Sequence, residues 1–249
     1  MITMKQPPWQ VTLAAGLLLL SALVYWIQAL VYHDFYHASF YLIGDIAFIP
    51  VQVLLVTLVL EKVIRVRERR VIQNKLNMVI GVFFSEVGSD LIRRFIEFDR
   101  RGPELTGQMR LSADWEQKRF DQVRIAIKGY EPAVDSAGRD LEQLRHFLGG
   151  RAGFLLRLLE NPNLLEHERF TDLLWAVFHL NEELACRKTL ATLEAKDREH
   201  LEGDIRRAYV LLVAEWLRYM QHLKKAYPYL FSLALRTNPF DPQAAPEVK

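Results

Sequence analysis

Residues 11–32 read VTLAAGLLLLSALVYWIQALVY, and residues 40–60 read FYLIGDIAFIPVQVLLVTLVL. The first run holds 22 residues without a charged side chain; the second holds 21, with Asp45 as its one charge. An apolar helix of about 20 residues, rising 1.5 Å per residue, spans a hydrocarbon core of about 30 Å. The two runs therefore predict a two-helix transmembrane hairpin. A cleaved signal peptide has an apolar region of roughly 7–15 residues and a small-residue cleavage site. The first run is longer and ends in aromatics, so a retained anchor is expected.

Charge sets the expected orientation. Lys5 precedes the first run, and residues 33–39 carry no Lys or Arg. Lys62, Arg65, Arg67, Arg69, Arg70 and Lys75 follow the second. The positive-inside rule then puts both termini in the cytoplasm of a multi-pass inner-membrane protein. Trp9, Tyr32, Phe35, Tyr36 and Tyr41 stand where interfacial aromatics belong. Lys62, Arg65, Arg67, Arg69 and Arg70 would lie at headgroup level, with membrane lipids as partners.

Four polar residues interrupt the apolar runs. Asp45 and Gln28 would match in depth in an antiparallel hairpin, as would Ser21 and Gln52. Such pairs can hold a hairpin or a homo-oligomer together. An intramembrane carboxylate can also sense, bind or conduct, and both readings of Asp45 stay open. Pro50 predicts a kink in the second span.

The expected layout is a cytoplasmic N-terminus (1–10), a hairpin (11–60), a cytoplasmic helical-bundle domain (61–237) and a flexible tail (238–249). Everything after residue 60 reads helical, giving an all-α chain without a period-2 strand. The first cytoplasmic helix continues the second span to Gly102-Pro103, and a polar loop runs on to Ser112. Gly81, Ser85 and Gly88 form a small-residue stripe on it. Helical spacing recurs over 113–128, 134–148, 151–160, 164–193 and 197–226. The stretch 208–217, AYVLLVAEWL, is apolar nearly all round and belongs at the centre of the bundle.

Composition narrows the chemistry. Half of the residues are hydrophobic (51%), a quarter are charged (25%), and the net charge is +2. That balance excludes a disordered chain and gives no case for nucleic-acid binding. A single cysteine, Cys186, excludes a disulfide framework and a Cys-based zinc site. No phosphate loop, G-x-S-x-G, H-E-x-x-H or C-x-x-C occurs. Histidine with carboxylate is the one chemical pattern. His179 precedes Glu182 and Glu183, His200 precedes Asp204 by four, and Glu142 precedes His146 by four. A di-iron bundle needs Glu-x-x-His motifs, which are absent. These pairs read as solvated helix faces and no cofactor is expected; a bound metal would fall first to His179 and Glu183.

ENPNLLEHERFTDLLWAVFHLNEEL from Glu160 and HLKKAYPYLFSLALRTNPFDP from His222 add a further sign. With GDIAFIPVQVLLVTLVLEK and LNMVIGVFFSEVG, the chain resembles a group of uncharacterised prokaryotic two-span membrane proteins. The resemblance implies that hairpin and helical body form one unit, and assigns no activity or site residue.

The leading expectation is a non-enzymatic, membrane-anchored interaction, sensing or scaffold protein with a cytoplasmic protein partner. A subunit of an oligomeric channel or mechanically gated pore, and a membrane-tethered helical-bundle metalloprotein, are the alternatives.

Overall fold

The computed structural model describes residues 16, 19–24, 26–27, 30, 35–162, 164 and 167–247, with backbone alone over 35–47 and 69–74. Among these residues the regular structure is helical, with one isolated antiparallel bridge between Asp99 and Val134. The chain forms two compact units, Met1–Glu68 and Arg69–Lys249.

The first long helix, α1, runs Phe35–Phe83. It carries the whole second apolar run and continues through Glu61, Lys62, Arg65 and Arg67. Here the expectation of a membrane hairpin is corrected. Among the described residues no helix is long and apolar enough to cross a membrane. The transmembrane fold, the multi-pass inner-membrane location and the two-span character of the resemblance all lose their support with it. So does the membrane tether of each functional expectation. Most of 11–32 lies outside the described residues, as do Gln28 and the side chains of Asp45, Arg69 and Arg70. Ser21 and Gln52 are exposed helical residues. Lys62, Arg65 and Arg67 are exposed too, and Arg65 pairs with Glu61 at 2.7 Å one turn earlier.

In the second unit α1 passes into a wide π-helical turn, Phe84–Gly88, and then α2, Ser89–Phe98. The spacing of buried residues explains the wide turn. Leu76, Ile80, Phe83, Phe84, Val87, Leu91, Ile92, Phe95 and Phe98 all face the core. From Phe83 through Val87 and Leu91 to Phe95 the steps are four, four and four. A regular α-helix alternates threes and fours to stay on one face. The π turn absorbs the surplus residue, so Phe83 and Phe95 point the same way.

Helix α2 stops at Asp99, which is extended (φ −96°, ψ 112°). Its carboxylate accepts from the backbone N–H of Arg101 at 3.0 Å and of Ala133 at 2.9 Å, and from the Tyr130 hydroxyl. Three donors compensate for burying it. Pro103 begins a short helix rather than a loop: α3 runs Gly102–Gln108 with proline in its first turn, where the missing N–H costs nothing. The remaining elements are α4 (Gln117–Lys128), α5 (Leu141–Gly149), α6 (Ala152–Leu159), α7 (Glu168–Cys186), α8 (Ala195–Ala226) and α9 (Pro228–Arg236). Helix α5 starts seven residues later than its apolar spacing suggests. The Asp140 side chain caps it, accepting from the Gln143 N–H at 2.8 Å.

Helix α8 is the axis of the core. Leu201, Ile205, Ala208, Tyr209, Leu212, Trp216, Leu217 and Met220 along it are buried. Aromatic contacts lock α1, the π turn and α2 around it. Phe84 stacks on Tyr219 with centroids 5.2 Å apart, and Phe95 meets Tyr209 edge-on at 5.6 Å. The tail expected to be flexible starts as core. Asn238 and Phe240 are buried, Asn238 donates to the Met109 carbonyl at 3.0 Å, and Phe240 meets Trp216 at 4.9 Å.

Gly88 closes the π turn. A Cβ there would lie 2.5 Å from Phe84 Cδ1 and 2.9 Å from Phe83 Cε1, both on buried rings. Gly88→Ala should therefore destabilise the fold by about 1–3 kcal/mol despite alanine's helix propensity. Equilibrium urea unfolding reads this out, and an unchanged midpoint would refute the ring packing.

Candidate metal centre

Two helix pairs make the cluster. On α7, His179 and Glu183 are four residues apart and share one face. On α8, His200 and Asp204 repeat that spacing. The short connection 187–194 turns the chain back, so α7 and α8 pack antiparallel, and His179 comes opposite Asp204 while Glu183 comes opposite His200. Each imidazole thus meets one carboxylate on its own helix and another across the gap. His179 Nε2 lies 3.8 Å from Glu183 Oε1 and 3.6 Å from Asp204 Oδ2. His200 Nε2 lies 3.6 Å from Glu183 Oε2 and 3.4 Å from Asp204 Oδ2.

These separations suit metal chemistry. Ligands about 2.0–2.1 Å from a tetrahedral ion stand roughly 3.3 Å apart. Four of the six edges are close to that here, at 3.4–3.8 Å, with Glu183 turning Oε1 to His179 and Oε2 to His200. His179, Glu183 and His200 each offer a ligand atom within 4.8 Å of the others. Asp204 closes the buried side. Its side chain is 4% exposed, and Oδ2 has no hydrogen-bond partner among the described residues. A buried carboxylate oxygen without a donor is costly. Arg207 Nη1, 3.5 Å away, addresses the other oxygen.

Arg187 organises the cluster from behind. Its Nη1 donates to Glu183 Oε2 at 2.7 Å, and its Nη2 and Nε grip Asp197 at 2.5 and 3.0 Å. The guanidinium bond holds the Glu183 carboxyl below its ordinary range, against a smaller opposing effect of burial, and it does the same to Asp197. Glu183 is thereby kept ionised, as a ligand must be. Helix α5 pins the connection: Arg145 donates to the Arg187 carbonyl at 3.0 Å, and Glu142 accepts from the Leu190 N–H at 3.1 Å.

Sequence reasoning singled out His179 and Glu183, and the structure adds His200 and Asp204 to them. Glu182 is exposed on the neighbouring cleft face. Glu142 pairs with Arg145 rather than with His146. His167 caps α7, its Nδ1 accepting from the Phe170 N–H at 3.2 Å. Cys186 is exposed at the α7 end. The His200–Asp204 pair was also noted from its spacing; what sequence reasoning missed is that the short 187–194 connection brings it face to face with the first pair.

Beside the cluster is a cleft of about 680 Å³ between α6 and α7. His179 and Glu183 form part of its wall, together with Ala152, Gly153, Leu156 and Phe178.

Fold and cluster together define an all-helical domain built around a two-helix histidine–carboxylate centre. The chain belongs to the MJ1433 family: the model described as "Uncharacterized protein MJ1433, C-terminal helical domain" matches residues 72–236, and "MJ1433, N-terminal helical domain" matches residues 4–64. It is 42% identical over 238 residues to "Uncharacterized protein MJ1433" of Methanocaldococcus jannaschii, covering 96% of each chain. No solved structure matches.

Arg187→Gln tests the support behind the cluster. Glu183 and Asp197 have depressed folded values, so their contribution is fully present above the ordinary carboxylate range and is lost as pH falls through the depressed values. The variant should melt several degrees below the parent at pH 7, and the gap should close at acid pH once both carboxylates are protonated in either state. A gap that stays constant as the pH is stepped down from 7 through the acid range, read by thermal unfolding, would remove this role.

Proposed function

We propose that this protein binds a divalent transition-metal ion through His179, Glu183, His200 and Asp204. The observation that carries the reading is convergence. Two imidazole Nε2 atoms and two carboxylates from facing helices meet at 3.4–3.8 Å. The buried oxygen Asp204 Oδ2 makes no hydrogen bond among the described residues, and the His179 and His200 Nε2 atoms stand 3.6 and 3.4 Å from it. Two nitrogens and two oxygens form a borderline set that suits zinc, cobalt or iron(II) better than calcium, which takes six to eight oxygens. Arg187, Glu142 and Arg145 supply the outer support that keeps such ligands oriented. The metalloprotein reading needs no membrane tether.

A second reading concerns the first unit. Every described side chain over 48–68 is exposed, including Leu54, Leu55 and Leu58. An apolar surface on that scale marks association, and a second copy of the chain would supply the same long helix in return.

Calorimetric titration of the purified, chelator-treated full chain with Zn²⁺ tests the first reading. One equivalent should bind, and His200→Ala or Asp204→Asn should weaken it at least about 100-fold. His146→Ala, which removes an exposed imidazole elsewhere, should leave binding unchanged. Zn²⁺ should also raise the melting temperature of the parent but not of His200→Ala. Binding that ignores the His200 substitution would refute the centre. For the second reading, light scattering at micromolar concentration should give a dimeric or larger mass, and a monomer would dismiss it.

A further inference from the structure

The cleft between α6 and α7 shares two residues with the proposed metal centre, and its other wall is made differently. From α6 come Ala152, Gly153 and Leu156, and from α7 comes Phe178. Leu156 is 46% exposed. Trp175, one turn before Phe178 and edge-on to it with centroids 6.4 Å apart, is 57% exposed. These are large apolar side chains left open to solvent beside a polar cluster. Apolar side chains with a few polar groups beside them make the kind of lining that small-molecule sites have. The volume, about 680 Å³, falls within the roughly 300–1,000 Å³ of such sites.

The proposed centre is open on one side. Asp204 approaches it from within, its side chain 4% exposed, whereas the imidazoles of His179 and His200 are 44% and 54% exposed. The exposed side, along the two imidazoles, is therefore the one from which a further ligand from solution can reach an ion held by the four protein donors. A ligand in the cleft would have both His179 and Glu183 and the apolar Leu156 and Phe178 within its lining. The charges restrict its head group. Glu182 and Glu183 both line the cleft, so a doubly charged phosphate ester would meet carboxylates on entry. A compact head that is neutral or singly charged escapes most of that repulsion.

We infer that this cleft binds a small molecule that joins a metal-chelating oxygen head, of the carboxylate or hydroxamate class, to a short hydrocarbon or aryl tail. The inference rests on the metal reading above. The head adds to the four protein donors from the exposed side, expanding the ion's coordination beyond four, and the tail lies on Leu156 and Phe178. No bond is made or broken in this binding step.

Cobalt(II) separates the two ideas. Loaded in place of zinc in the full-length chain, it gives visible bands that report both its own binding and any ligand that joins it. Acetohydroxamate and benzohydroxamate carry the same head and differ in the tail. Both should perturb the bands, and benzohydroxamate should bind about tenfold tighter through the apolar area it buries. Leu156→Ser, at a partly exposed site, should leave the cobalt spectrum of the unliganded protein unchanged and bring benzohydroxamate down to the acetohydroxamate level. Equal affinities with an intact cobalt spectrum would overturn the cleft while leaving the metal centre standing. Inorganic phosphate binding more tightly than either hydroxamate would overturn the head group. A protein that takes up no cobalt would overturn both.

Discussion

The antiparallel register of α7 against α8 is the constraint on which the domain turns. It is set by a short connection, and that connection is itself held at both ends. Arg187 reaches back to Glu183 and forward to Asp197, while Glu142 and Arg145 fasten the intervening backbone to α5. With this register fixed, the apolar faces of the two helices meet along Leu173, Leu180, Leu201 and Ile205, all fully buried. The same register places the four polar side chains in one group at the open end of that seam. Core and cluster thus share one geometric cause.

Much of this was legible in the residues. The helical body followed from spacing, and the central place of 208–217 followed from its lack of a polar face. His179 and Glu183 could be singled out because an imidazole and an acid four apart share a helix face. The second half of the cluster was harder to read. His200 and Asp204 look like any solvated pair until the turn at 187–194 is known to bring them opposite the first. A turn of that kind has no strong sequence mark: 187–194 contains neither glycine nor proline. Arg187 was equally hidden, since a lone arginine after a helix says nothing about the two carboxylates it joins.

The hairpin expectation rested on apolar composition, and among the described residues no helix is long and apolar enough to cross a membrane. The expected continuation of the second apolar run beyond Glu61 is what α1 does, crossing that point without a break. At Gly102-Pro103 breaker residues suggested a loop. Proline in a first turn begins a helix as readily as it ends one, and α3 follows directly. The buried start of the tail at Asn238 and Phe240 shows a third limit. Short polar, proline-rich segments can pack when one aromatic finds a place, here against Trp216.

The wide turn at Phe84–Gly88 can also be viewed as an editing event in the chain. It amounts to one inserted residue accommodated inside a helix instead of being expelled as a loop. Tightening the turn to regular α-helix with every residue kept would rotate the preceding segment by about 100° relative to α2. Leu76 and Ile80 would leave the core, and neighbouring polar residues would enter it. Excising one residue at the same time would cancel that rotation and leave an unbroken α-helix with the same face inward. In members of the family that keep this core, a one-residue deletion here should go with a helix that runs straight through.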